Sequence, residues 1–285
     1  MFKLSCALTA VAAMSLLAAP CYSQGASASF AFPDREVPVT GTFFCDLAIT
    51  NDTDLQGFQT SITWDHTQLE FLSVTGIGTD AEAALFAVNP SLMLGCEPYE
   101  FFLPVTVGPI AATNRSRQLT GVVFDFVPPF GSVVLAPGTD MTALRFRFES
   151  IGGALGATTD LLFDTAPGDN SVIVQGLSII VGLDDATLTF SEPFLRGDTD
   201  GDGTVNLVDA ILVLNYLFNN GVAPTCLNAA DANDDATTGM INTADAVYIL
   251  SYLFNAGATP PAPFGSCGAD PTPSPLSCGG PTACP

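Results

Sequence analysis

Between residues 27 and 192 apolar and polar side chains alternate in short runs broken by Gly, Pro, Asn and Asp. In TALRFRFES (142–150) an extended chain places Leu144, Phe146 and Phe148 on one side and Arg145, Arg147 and Glu149 on the other, the pattern of a half-buried strand. GFQTSITW (57–64) does the same with Phe58, Ile62 and Trp64. LEFLSVT, LTGVVFDF, DLLFDT, SVIVQGLSIIVG and ATLTF continue the series, and TDAEAALFAV (79–88) is the one short helical candidate. Short strands separated by turn signals predict a mainly β domain, an antiparallel β-sandwich.

After Phe194 the period changes from two to 3.6 and the chain repeats itself. NLVDAILVLNYLFNNGVAP (206–224) returns at a constant offset as NTADAVYILSYLFNAGATP (242–260). Each copy predicts a helix with an apolar stripe, Ile211, Leu214 and Phe218 in the first and Val247, Leu250 and Phe254 in the second, which the other helix can cover. Gly221 and Gly257 end the helices, and Pro224 and Pro260 follow.

Composition changes the picture at the N-terminus first. MFKLSCALTAVAAMSLLAAPCYS gives one lysine, an apolar run too short to span a bilayer, and a small-residue exit, so residues 1–23 are expected to be a secretory signal peptide. Export leaves Cys45, Cys96, Cys226, Cys267, Cys278 and Cys284, an even set in an oxidising compartment with no CxxC pair, which points to disulfides rather than zinc. Cys45 with Cys96 would staple the first domain and Cys267 with Cys278 the tail, while other pairings of the last four stay open. The formal charge of −22 rises in magnitude when Lys3, the only lysine, leaves with the signal, and six arginines then face 29 acidic groups. That field excludes nucleic acid and anionic membrane surfaces as partners and attracts divalent cations; no later segment is long and apolar enough for membrane insertion.

The candidate chemistry lies where the repeat begins. DTDGDGTVNLVD (198–209) places Asp198, Asp200 and Asp202 at positions 1, 3 and 5 of a twelve-residue loop, Gly203 at 6, Thr204 at 7, Asn206 at 9 and Asp209 at 12. Calcium takes six to eight oxygen ligands, and this spacing supplies them: alternate carboxylates, a glycine for the sharp turn, the Thr204 carbonyl, a water held by Asn206, and Asp209 closing the shell. In the second copy Asp231, Asn233 and Asp235 repeat positions 1, 3 and 5, and Asn242 and Asp245 repeat 9 and 12. Three extra residues, placed at Ala236, Thr237 and Thr238, restore Gly239 and Met240 to the glycine and carbonyl positions. Two calcium (Ca2+) sites are therefore expected, the first with the uninterrupted spacing.

Two such loops, each leading into a helix, with Asp rather than Glu at position 12 and SEPFLRG instead of an incoming helix, resemble a type I dockerin over 196–262. The resemblance implies a calcium-stabilised plug that attaches a secreted module to a cohesin domain, often in polysaccharide-degrading assemblies. It places partner recognition on Leu207 and Val208, with Leu214 and Asn215, and on Thr243 and Ala244, with Leu250 and Ser251; the basic residue that many dockerins carry there is missing. In the first domain GFQTSITWDHTQLEFLSV (57–74), with Trp64, Asp65, Leu69 and Phe71, is similar to cohesins and related carbohydrate-binding sandwiches, implying a cohesin-like jelly roll for 27–192. Trp64 itself, placed within the alternation, reads as a core residue rather than a sugar platform.

No catalytic residues are assigned. A glycosidase needs two carboxylates across a cleft, but none of the acidic residues of the first domain sits in a recognisable motif, and His66 is the only histidine. The sequence thus reads as an exported, non-catalytic, modular attachment protein with a Pro/Gly/Cys-rich tail at 263–285. The alternative is a carbohydrate-binding or glycoside-hydrolysing sandwich displayed by the dockerin. Because both halves of a possible lock lie on one chain, the partner is a cohesin-like domain or a second copy of the chain in head-to-tail contact, with polysaccharide as a further ligand.

Overall fold

The computed structural model describes residues 26–88, 99, 101–124, 133–166, 169–235, 240–272, 274–278 and 284. The expected signal peptide, Cys96, the insertion at 236–238 and Gly239 lie outside them. In chain order the elements are β1 (Ala28–Ala31), β2 (Arg35–Pro38), β3 (Gly41–Asn51), β4 (Gly57–Asp65), β5 (Leu69–Thr75), α1 (Asp80–Val88), β6 (Phe101–Val107), β7 (Arg115–Val123), β8 (Gly138–Ser150), β9 (Thr158–Phe163), β10 (Ser171–Val174), β11 (Leu177–Ile180), β12 (Gly182–Asp184), β13 (Ala186–Ser191), α2 (Leu207–Phe218), α3 (Leu227–Ala230) and α4 (Thr243–Phe254).

The first thirteen strands form two sheets. One runs β12-β1-β3-β8-β5; the other runs β11-β10-β4-β9-β13-β2, with β7 beside β4 and β6 beside β7. The expected sandwich is present and most pairings are antiparallel, but β1 with β12 and β13 with β2 are parallel. Alternation reports which face of a strand is buried and carries no information about the direction of its neighbour, so these two pairings have no trace in the pattern. Leu144, Phe146 and Phe148 on β8 and Phe58, Ile62 and Trp64 on β4 are buried, as the alternation requires.

Between Asp65 and Leu69 the chain crosses from one sheet to the other. The Asp65 carboxylate accepts from the backbone N–H and hydroxyl of Thr67 (2.8 and 2.6 Å), and Trp64 Nε1 donates to Leu69 O at 3.1 Å. Trp64, Phe71 and Phe148 then pack ring against ring at 5.5–5.7 Å, joining the two layers. Truncating one such buried ring costs about 3–5 kcal/mol in comparable cores.

The cysteine pairing differs from expectation. Cys226 is bonded to Cys278 and Cys267 to Cys284, while Cys45 carries a free, buried thiol. Cys267 and Cys278 do not pair because the tail runs alongside α3: Leu227 N donates to Ser277 O, which brings Cys278 to Cys226 across the start of that helix. Cys45 points from β3 into the interior between the sheets.

The helix stripes are also rotated from expectation. Ile211, Phe218, Val247 and Phe254 are exposed; the face that packs is Ala210, Val213, Leu214 and Leu217 against Ala246, Ile249, Leu250 and Leu253. Asp209 and Asp245 cause the rotation. Each is fully buried in the first turn of its helix, against its own loop, so the residue one turn on, Val213 or Ile249 at i+4, turns inward with it. The glycines after each helix serve close approach: Asn220 and Ala256 take the left-handed backbone, and a Cβ on Gly221 or Gly257 would lie within 3 Å of the preceding turn.

Candidate functional site

Each helix start is built by its own loop. Asn206 caps α2, its Oδ1 accepting from Val208 N at 2.8 Å, and Asp209 returns an oxygen to Asn206 N at 2.8 Å; Asn242 and Asp245 repeat this box at α4, with 2.7 and 2.8 Å. The duplication is thus structural as well as sequential.

In the first loop carboxylate oxygens of Asp198, Asp200 and Asp202 lie within 4.8 Å of one another. Asp198 is tied down by backbone donors, Oδ1 accepting from Gly201 and Asp202 (3.0 and 3.1 Å) and Oδ2 from Gly203 (2.9 Å). Gly203 has φ +87°, a conformation that suits glycine, as the sixth position requires. Asp209 stands outside this triple: its Oδ1 accepts from Thr199 N, Thr199 Oγ1 and Asp200 N, and its Oδ2 from Asn206 N. Thr204 is exposed, with its carbonyl facing Asn206 Nδ2 at 3.3 Å.

The second loop gathers a different triple, Asp231, Asp235 and Asp245, again within 4.8 Å. Asn233 joins through its amide, donating to Asp235 Oδ2 at 2.9 Å. Asn242 is taken up by the cap, and Met240 is exposed. Asp231 and Asp245 are 1% and 0% exposed, yet among the described residues Asp231 Oδ2 and Asp245 Oδ1 have no hydrogen-bond partner. Buried carboxylate oxygens without donors are costly unless a cation meets them.

Electrostatics agree with that reading. Burial, and then the neighbouring Asp245, pushes the Asp231 carboxyl above the usual range; burial and then Asp235 among its neighbouring charges do the same for Asp245. Asp198 and Asp209 are also raised, burial being the largest cause in each. Asp202, at the surface, is lowered by the Thr204 hydroxyl and backbone N–H. Hard oxygen donors at this spacing, two of them in the second loop without a donor among the described residues, fit calcium.

The four expected recognition residues, Leu207 and Val208 at the start of α2 and Thr243 and Ala244 at the start of α4, are all exposed. Ile211 and Phe218 extend the exposed apolar surface along α2. The sequence reading missed Arg196, which is fully buried against the second loop. Its signal was its isolation: it is the sole Lys or Arg after Arg147.

Paired acidic loops, each capping a helix that packs on its twin, define a duplicated loop–helix module with an acidic cluster in each half. Residues 196–254 match the model of the dockerin type I domain family, so this unit is a dockerin-like module, of a class that binds calcium. A search of curated proteins finds no match. Among solved structures, similarity is found to the seventh ScaB type I cohesin of Pseudobacteroides cellulosolvens (12% identity, 58% of this chain and 93% of that one, TM-score 0.38). A cohesin–dockerin complex from Clostridium thermocellum (13%, 58% and 94%, 0.40) and a non-cellulosomal cohesin from Archaeoglobus fulgidus (10%, 58% and 92%, 0.37) are similar at the same level. Among the described residues no helix is long and apolar enough to cross a membrane.

Proposed function

We propose that the chain is an exported, non-catalytic attachment protein. Residues 1–23 are its removable signal, 27–192 a sandwich module, and 196–262 a module that loads two calcium ions and docks through Leu207, Val208, Thr243 and Ala244. The first ion is held by Asp198, Asp200 and Asp202, with Asp209, Asn206 and the Thr204 carbonyl completing its shell. The second is held by Asp231, Asn233, Asp235 and Asp245, with Asn242 and the Met240 carbonyl. Calcium offsets the mutual repulsion of the carboxylates, and the loaded loops fix the two helix starts relative to each other. The partner is a cohesin-like domain, on another protein of a polysaccharide-handling assembly or on a second copy of this chain.

The observation that carries the reading is that the dockerin match coincides with two carboxylate clusters, one of which keeps two buried oxygens without partners among the described residues. A sugar platform on Trp64 has no support, since its ring is 2% exposed and its N–H is bonded inside the fold. The test is surface binding of the full chain to a type I cohesin domain and, in a separate arm, to itself, each in calcium and in chelator. One arm is expected to bind in calcium only, and Leu207→Asp with Val208→Asp to weaken it at least about tenfold, as for central interface anchors. Binding that survives chelation, or no binding in either arm, would contradict the proposal.

A further inference from the structure

Arg196 spends every arm of its guanidinium inside the module. Nε donates to Ala262 O (3.0 Å), Nη1 to Asp231 O (2.8 Å) and Asn228 O (3.4 Å), and Nη2 to Asp270 Oδ1 (2.9 Å), while Asp234 Oδ1 lies 3.3 Å from Nη2 and the Phe194 ring stacks at 5.3 Å. The chain beyond α4 therefore returns to the second loop. Its other bonds lead to the same place: the Thr272 hydroxyl lies between Asp234 Oδ1 (2.7 Å) and Asp270 Oδ1 (2.8 Å) and bridges the two carboxylates, Ser274 Oγ donates to Asn228 Oδ1 (3.3 Å), and Cys278 is joined to Cys226. Among the described residues, no hydrogen bond links the segment 262–278 to residues 198–209, whose side-chain bonds run within that loop; there the segment reaches only the residues before the loop, where Pro263 O accepts from Arg196 N at 2.7 Å.

The fourth loop position explains why only one loop needs this support. In the first loop it is Gly201, with φ +74°; in the second it is Asp234, with φ +55°. Glycine adopts the left-handed region without steric penalty, whereas an aspartate there is strained unless its side chain is held. Asp234 is held from outside, by Thr272 and by Arg196, and Asp270 keeps Arg196 in place.

We propose that the segment 262–278 is a strap that presets the second calcium loop, with Thr272 acting directly on Asp234 and Asp270 acting through Arg196 as positioning residues for that site. The strap supplies from outside the loop what Gly201 supplies within the first one. This inference rests on the calcium reading above. It makes calcium affinity at the second loop depend on residues beyond the matched 196–254 segment and leaves the first loop independent of them.

The test is calcium titration calorimetry on the full chain, with Asp198→Ala isolating the second site and Asp231→Ala isolating the first. Thr272 is exposed, so Thr272→Val leaves the fold intact. It is expected to weaken the second site about tenfold, the loss of one hydrogen bond to a charged acceptor, and to leave the first unchanged. Asp270→Asn is expected to weaken the second site further and again spare the first. Adding Asp234→Gly to Thr272→Val is expected to restore second-site affinity, which a merely general loosening of the module would not allow. Unchanged second-site affinity in Thr272→Val, or equal weakening of both sites, would overturn the strap. Absence of calcium binding to the unaltered chain would instead overturn the calcium reading, and the strap with it.

Discussion

Cys45 is 2% exposed on β3, and burial, against the opposing charge of Arg35 and with a smaller push from the adjacent Asp46, holds its thiol up at about 12. The thiolate is the reactive species, so this side chain is inert while the sandwich is folded. Alkylation of the native chain, read by peptide mass mapping, is expected to leave Cys45 unmodified and to label it fully in denaturant; native labelling at a rate near that of a free thiol would show that the interior is open. Single residues differed in how much the sequence told of them. The acids of the two loops were legible because their spacing is itself the chemistry. Arg196, Asp270 and Thr272 were not, because they meet across the fold, and a lone arginine in a linker-like stretch carries no local pattern. The disulfide partners were hidden for the same reason: the pairing of Cys226 with Cys278 depends on where the strap lies.

At the scale of elements, the short apolar runs located β4, β5, β7, β8, β9, β10, β11 and β13, and the helical run at 79–88 appears as α1. They gave no sign of β3 and β6, since FFC in β3 sets two phenylalanines side by side and FFLPVTV in β6 is apolar on both faces. The helices were found by period, but the stripe was assigned to the wrong side. A 3.6 period fixes a face only when one face is apolar, and here both are; the deciding constraint was the inward turn of Asp209 and Asp245. Those acids also set the pH response of the loop–helix units. With Asp198, Asp209, Asp231 and Asp245 all raised above 3.8 in the folded, calcium-free chain, the folded state binds more protons than the unfolded one between that value and the raised ones. Stability therefore falls as pH rises through this window. In chelator the helical signal is expected to melt at a higher temperature at about pH 5 than at about pH 7.5. In saturating calcium the order is expected to reverse, because the ion competes with the same protons. Equal melting temperatures at both pH values in chelator would contradict the assignment of these groups.

At the scale of the whole molecule, two units with different requirements share one chain. The sandwich has a continuous core of Phe, Leu, Ile and Val drawn from both sheets, and among the described residues it holds no cluster of metal-ligating side chains. Among the described residues the loop–helix unit has a core of only six fully buried side chains, four of them alanines, and four buried acids, Asp198, Asp209, Asp231 and Asp245. So small an apolar core leaves the folding of this unit to the metal, the strap and its disulfides. Hydrogen exchange of the full chain, resolved by peptide, compares both units in one sample. In calcium, the amides of α2 and α4 are expected to be strongly protected; in chelator that protection is expected to collapse while β4 and β8 of the sandwich exchange as slowly as before. Equal protection of α2 and α4 with and without calcium would contradict the account, since the acidic loops would then be holding the helices without an ion.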